Sequence, residues 1–128
     1  MEHCDFAAIE ALLRRHGFHF SKSMGQNFLT AAWVPADIAD ASGADAHTGV
    51  LEVGPGIGVL TYELSQVSKK VVTIELDKRL LPVLDETLAD CDNVKVINDD
   101  VMKIDLHRVI EEEFNGEEVA VCANLPYY

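Results

Sequence analysis

The feature that most constrains this chain is Glu52-Val53-Gly54-Pro55-Gly56-Ile57-Gly58, lying between the apolar residues Val50-Leu51 and a stretch with helical spacing through Leu60 and Leu64. Three glycines at alternate positions cost conformational entropy on folding, and no packing return is evident from the neighbouring residues. A turn alone is the bland explanation. A strand-to-helix junction whose backbone a ligand approaches closely is the better one.

Around this junction, strand-like and helical patterns alternate. Val71-Val72-Thr73-Ile74, Val94-Lys95-Val96-Ile97 and Val119-Ala120-Val121-Cys122-Ala123 read as further strands. Leu80, Leu81, Leu84 and Leu88 recur at helical spacing, with Pro82 tolerable in a first turn, and Leu106, Val109, Ile110 and Phe114 mark another helical face. The first two strands read as buried and parallel, and four strands with helices between them predict an α/β, Rossmann-like sheet. Upstream, Asp5 can cap a helix with an apolar face of Phe6, Ile9, Leu12 and Leu13 that ends at Gly17. Phe18 to Thr30 reads as an ordered loop, and a second helix is expected from about Val34 to Ser42, before Gly43. The organisation expected is an N-terminal helical segment over 1–48 and a Rossmann-like domain from 49 to 128.

Composition excludes several classes. With 128 residues, 48% hydrophobic and 25% charged, the chain is ordinary globular material for one domain. Residues 1–33 balance Arg14, Arg15 and Lys22 against Glu2, Asp5 and Glu10, so the net charge of -12 lies beyond Trp33 and opposes nucleic-acid binding by this stretch alone. Cys4, Cys91 and Cys122 suggest neither a disulfide framework nor a zinc pair, and His3, His16, His19, His47 and His107 show no metal spacing. No metal, no membrane span and a cytoplasmic location are the expectations. The acidic runs Glu111-Glu112-Glu113 and Glu117-Glu118 read as solvated surface.

A dinucleotide fingerprint would place its third glycine at position 59, which is Val59, and Glu52 is a poor neighbour for a pyrophosphate. S-adenosylmethionine carries an ammonium and a sulfonium but no phosphate, so an acid beside the loop becomes an advantage. Glu75, 21 positions beyond Gly54, has the spacing of a carboxylate that accepts ribose hydroxyls. Asp77 reads as a helix cap. Asp99 and Asp100 follow the third strand; either could accept an adenine amine, Asp100 being preferred, and a plain turn is the rival reading. Asn124-Leu125-Pro126-Tyr127 follows the fourth strand, where acceptors held by a proline-restricted backbone could grip an aromatic amine while Tyr127 stacks on its ring. Two aromatics closing a core are the alternative there, especially for Tyr128.

Together, Gly25-Gln26-Asn27-Phe28-Leu29, Leu51 to Gly58, Glu75, Asp100 and Asn124-Leu125-Pro126-Tyr127 resemble the ribosomal RNA adenine N6,N6-dimethyltransferase family of KsgA type, from about Phe18 onward. The resemblance implies a Rossmann-like methyltransferase fold and transfer of two methyl groups from S-adenosylmethionine to N6 of adenines in small-subunit (16S) ribosomal RNA during ribosome biogenesis. It further implies that Asn27 and Leu29 border the cofactor and that Gly54 lies under its methionine part. Glu75 would take the ribose and Asp100 the adenine, with Asn124 between cofactor and target base and the early loop helping to receive RNA. Partners would be small-subunit ribosomal RNA and the pre-small-subunit particle. Family members continue with further strands and a helical domain, so the chain reads as an N-terminal part, truncated after the fourth parallel strand, that binds cofactor weakly at best and does not methylate alone. Rival readings are a large-subunit methyltransferase of the macrolide-resistance type, a noncatalytic RNA-binding or transcription-accessory relative, and an NAD-dependent enzyme.

Overall fold

The computed structural model describes residues 6–18 and 43–123. Four strands, β1 (Gly49–Val53), β2 (Lys70–Glu75), β3 (Val94–Asn98) and β4 (Val119–Ala123), form one sheet in the order β3-β2-β1-β4. Every pairing is parallel. Helices α2 (Val59–Val67), α3 (Leu81–Thr87) and α4 (Leu106–Phe114) connect successive strands, and α1 (Phe6–Arg15) precedes the sheet. This is the Rossmann-like alternation expected from the sequence. The expected helix from Val34 to Ser42 and the loop from 19 to 30 lie outside the described residues.

Because strand side chains alternate between faces, β1 serves two cores. Val50 packs with Leu60, Leu64 and Val71 under α2, whereas Leu51 packs with Val72, Ile74, Val109 and Phe114 under α4. Burying a Val, Leu, Ile or Phe side chain contributes roughly 1.5–3 kcal/mol each. β1 is central, with β2 on one side and β4 on the other, so winding reverses beside it. In open parallel sheets, ligands bind outside the carboxyl ends of the strands at such a reversal.

α1 ends as its Gly17 requires. Gly17 adopts φ 81°, its N–H donates to the Arg14 carbonyl at 3.1 Å, and the Phe18 N–H donates to the Leu13 carbonyl at 2.8 Å. Leu12 and Leu13 are buried with Val83 of α3, and Phe18, Ile57 and Val59 pack around them. Glu86 of α3 clasps the end of α1, accepting from Arg15 Nη1 at 2.6 Å and pairing with His16 Nε2 at 2.9 Å. The Arg79 guanidinium lies 5.5 Å from the Phe18 ring centroid.

Two expectations change. The buried stripe of α3 is Val83, Leu84, Thr87 and Leu88, not Leu80, Leu81, Leu84 and Leu88. Lys78–Leu80 is a 3-10 turn, whose tighter winding rotates Leu80 off the stripe that the α-helical period assigns it. Glu113 is not plain solvated surface either. The last turn of α4 lies across the start of the sheet, so the Glu113 carboxylate meets Lys95 Nζ at 2.7 Å and its carbonyl accepts from Lys70 Nζ at 2.8 Å. Glu117 pairs with Lys69 at 2.7 Å.

Candidate cofactor site at the carboxyl edge of the sheet

The glycine loop leaves β1 and turns into α2 through three left-handed residues: Gly54 at φ 76°, Gly56 at φ 58° and Gly58 at φ 90°. The Gly54 N–H donates to the Ile74 carbonyl at 3.0 Å, fastening the loop beside the end of β2. The Gly58 N–H donates to the Pro55 carbonyl at 2.9 Å, and the Gly58 carbonyl accepts from Tyr62 N–H at 2.9 Å to start α2. The glycines differ in what surrounds them. A Cβ on Gly58 would meet Thr87 Oγ1 at 2.9 Å and Leu84 Cδ2 at 3.0 Å, whereas one on Gly56 would meet nothing within 4 Å among the described residues. Gly58 therefore has a packing role absent from the sequence-based expectation, and Gly56 leaves open space where a ligand can approach the backbone.

Glu75 is the last residue of β2. It is 7% exposed, and its Oε2 accepts from the Asp77 N–H at 2.9 Å. Asn98 Nδ2 donates to the Glu75 carbonyl at 2.8 Å and the Leu76 carbonyl at 3.2 Å, tying the end of β2 to β3. The Asp99 N–H donates to the Glu75 carbonyl at 3.2 Å. Asp77 does cap the next turn, accepting from the Arg79 N–H at 2.9 Å. The Arg79 side chain beside it holds its carboxyl below the ordinary range.

Asp99 and Asp100 build a turn, as the plainer reading had it. Asp99 Oδ1 accepts from the Asp100 N–H at 2.7 Å, and Asp100 Oδ1 accepts from the Met102 N–H at 2.9 Å. The half-buried Asp100 keeps Oδ2 free of hydrogen bonds among the described residues. The turn thus fixes the carboxylate without consuming it. Gly54, Glu75 and Asp100 come together along one edge, linked by the Gly54–Ile74 and Asp99–Glu75 backbone bonds. Asn27, Leu29, Asn124, Leu125, Pro126 and Tyr127 lie outside the described residues. β4 pairs Ala123 with Val53, one position before Gly54.

Glu52 points into the protein. It shares the α2 face of β1 with Val50 and is 0% exposed. Its Oε1 accepts from Thr61 Oγ1 at 2.5 Å and Thr73 Oγ1 at 2.7 Å, while its buried Oε2 has no hydrogen-bond partner among the described residues. Burial pushes the carboxyl up from the ordinary carboxylate range; the two hydroxyls oppose this and the Glu75 charge reinforces it. Burial likewise raises the Cys122 thiol, with the Glu52 charge adding to the effect.

Two residues that the sequence reading did not single out flank the acids. Leu76 is 65% exposed directly after Glu75, and Met102 is 88% exposed two residues after Asp100. Hydropathy alone treats them as strand and turn ends; only their exposure beside two carboxylates marks them as ligand-facing candidates. Among the described residues no group of three His, Cys, Asp or Glu could hold a metal, and no helix is long and apolar enough to cross a membrane.

Among known proteins, a curated relative named ribosomal RNA small subunit methyltransferase A from Alkaliphilus metalliredigens is 49% identical over 119 residues. That match covers 93% of this chain and 42% of the relative, so the chain spans about two-fifths of the relative's length. A dimethyladenosine transferase from Plasmodium falciparum superposes with a TM-score of 0.57 at 29% identity, covering 73% of this chain and 32% of that one. The 23S rRNA methyltransferase ErmE gives a TM-score of 0.53 at 36% identity over 56% of this chain and 31% of its own. The family described as ribosomal RNA adenine dimethylase matches residues 17–128. With that match spanning most of its length and the Rossmann-like edge built as described, the chain belongs to the ribosomal RNA adenine dimethylase family.

Proposed function

We propose that the protein carrying this chain is an S-adenosylmethionine-dependent methyltransferase that places two methyl groups in succession on N6 of adenines in small-subunit (16S) ribosomal RNA. The observation that carries the reading is the joining of three left-handed glycines, Glu75 and Asp100 on one acidic edge. Such an edge suits a ribose-bearing cation and repels a pyrophosphate, which disfavours NAD. When bound, S-adenosylmethionine supplies an electrophilic methyl group.

The chain's residues bind and orient. Gly54 lies under the methionine part and Glu75 accepts ribose hydroxyls. Asp100 Oδ2 accepts the adenine amine, with Leu76 and Met102 offering apolar surface to the purine. Asn27 and Leu29 border the cofactor. The exocyclic amine of the target adenine is a weak nucleophile because its lone pair is delocalised into the ring. Acceptors of Asn124-Leu125-Pro126, bonded to its hydrogens, favour the tetrahedral geometry needed for attack, and Tyr127 stacks on the base. Neither a metal nor a covalent enzyme intermediate enters this scheme.

In this reading residues 1–48 would supply the segment that faces cofactor and RNA, and 49–128 would belong to the methyltransferase domain. The work is cytoplasmic, on the pre-small-subunit particle, and belongs to ribosome biogenesis. The small-subunit name of the curated relatives favours this substrate over the large-subunit alternative that the ErmE likeness represents. Mass spectrometry of ribosomal RNA from cells lacking the protein tests it. Loss of N6,N6-dimethyladenine from small-subunit RNA is expected; persistence of that mark refutes the assignment, and loss from large-subunit RNA alone transfers it to the sister group.

A further inference from the structure

Glu52 is the one fully buried carboxylate among the described residues, and its position is peculiar. It lies two residues before Gly54, and strand register sets it between Thr73 of β2 and Cys122 of β4. One oxygen takes both threonine hydroxyls and the other takes none of the described residues' hydrogen bonds. The other buried carboxylate oxygen without a hydrogen bond among the described residues, Glu113 Oε2, has Lys70 Nζ 3.8 Å away, whereas Glu52 Oε2 has no ion-pair partner there, and an unmet buried acceptor is costly. We propose that Glu52 is a specificity-determining residue that favours the positively charged methyl donor over the neutral thioether left after transfer, by ionising when the donor binds. This rests on the S-adenosylmethionine reading above.

The physical case is a charge balance. No Lys, Arg or His among the described residues pairs with Glu52. From β2 it faces the Thr73 hydroxyl and, at the strand end, the Glu75 carboxylate; from β4, the Cys122 thiol; from α2, the Thr61 hydroxyl. Burial and the Glu75 charge favour the protonated form, while two donated hydroxyls hold the site ready for the anion. A cation bound over the glycine loop tips this balance: the Glu52 O–H bond breaks, its electron pair stays on the carboxylate and the proton passes to solvent. The thioether product lacks the sulfonium charge and gives no such push. Donor affinity then gains up to one proton of pH dependence that product affinity lacks, and the donor displaces spent product more readily as pH rises.

The test is calorimetric titration of the full protein with S-adenosylmethionine and with S-adenosylhomocysteine, between about pH 5 and about pH 9, in buffers of differing ionisation enthalpy. Both ligands carry the same carboxylate and adenosine, but the sulfonium lowers the donor's amine below the product's, so the two are compared below about pH 6.5, where both amines stay protonated. Expected is proton release on binding the donor in excess of that for the product, with donor affinity rising up to about tenfold per pH unit below the Glu52 titration. Glu52→Gln should abolish the excess release and reduce the donor-to-product affinity ratio about tenfold. Thr73→Val removes one hydroxyl from the anion and should move the window to higher pH, which a merely structural role would not do. Equal proton release for both ligands in the wild type overturns the inference without needing any variant. Failure of both ligands to bind overturns the cofactor reading along with it.

Discussion

Replacing Gly58 with alanine should destabilise the protein far more than the same change at Gly56. At φ 90° an alanine sits outside the narrow left-handed well, which costs roughly 1–2 kcal/mol. Its Cβ would also lie 2.9 Å from Thr87 Oγ1 and 3.0 Å from Leu84 Cδ2, both on the buried stripe of α3. Such overpacking costs roughly 1–3 kcal/mol, and the loss of glycine's unfolded-state freedom returns about 0.4–1 kcal/mol. The net is about 1–5 kcal/mol. At Gly56 the backbone strain is similar or smaller, φ being 58°, and the Cβ meets open space, so the net falls to about 0–1 kcal/mol. Urea unfolding followed by circular dichroism measures both, provided the slopes with denaturant agree. Because Gly56 faces the ligand side, Gly56→Ala should instead weaken S-adenosylmethionine binding. Equal destabilisation by the two changes would refute the claim that Gly58 is set by packing against α3 and Gly56 by ligand approach.

Other consequences follow from the same geometry. Glu75→Ala should weaken S-adenosylmethionine binding at least about tenfold, since each charged hydrogen bond is worth roughly 1.5–3 kcal/mol; an unchanged affinity in a folded variant would assign Glu75 to the surface. Glu52 has its carboxyl raised from an ordinary value of 4.5 by burial, so the folded state binds the extra proton and stability should fall as pH climbs from that value through the raised one. Glu52→Gln should flatten this decline in urea titrations across pH; an identical slope in the variant contradicts the burial argument. Glu86 is shifted the other way, lowered by the hydrogen bonds from His16 and Arg15, so its clasp on α1 persists above the ordinary carboxylate range and is lost as pH falls through the lowered value. Hydrogen exchange should show Glu86→Gln loosening the amides of α1 and leaving those of β1 protected; unaltered α1 protection would mean that Leu12 and Leu13 alone hold the helix.

The two central strands were legible because buried parallel strands are nearly continuous apolar runs, and Val71-Val72-Thr73-Ile74 is recognisable without its neighbours; β3 and β4, at the edges and only partly buried, still carry valine-rich runs. Gly54, Glu75 and Asp100 were legible because a chain-local spacing fixes which strand end carries each. What stayed hidden depends on contacts between distant segments. The Gly58 contact with Thr87 spans 29 positions, the Glu113 pairing with Lys95 depends on how α4 lies across the sheet, and Leu80 left its helical stripe because a 3-10 turn intervened. Glu52 is the sharpest case. Adjacent to the loop in sequence, it read as a ligand-side acid, yet the two-residue period of β1 turns it under α2 toward Thr61 and Thr73.

The acidic carboxyl edge of the sheet is built for a phosphate-free, ribose-bearing cation. Calorimetric titration of the full protein with S-adenosylmethionine and, separately, with NAD addresses that directly. Saturable binding of S-adenosylmethionine, weakened by Glu75→Ala, with no heat of binding for NAD, is the result expected from Gly54, Glu75 and Asp100 as arranged. Saturable binding of NAD, or S-adenosylmethionine binding indifferent to Glu75→Ala, would contradict it.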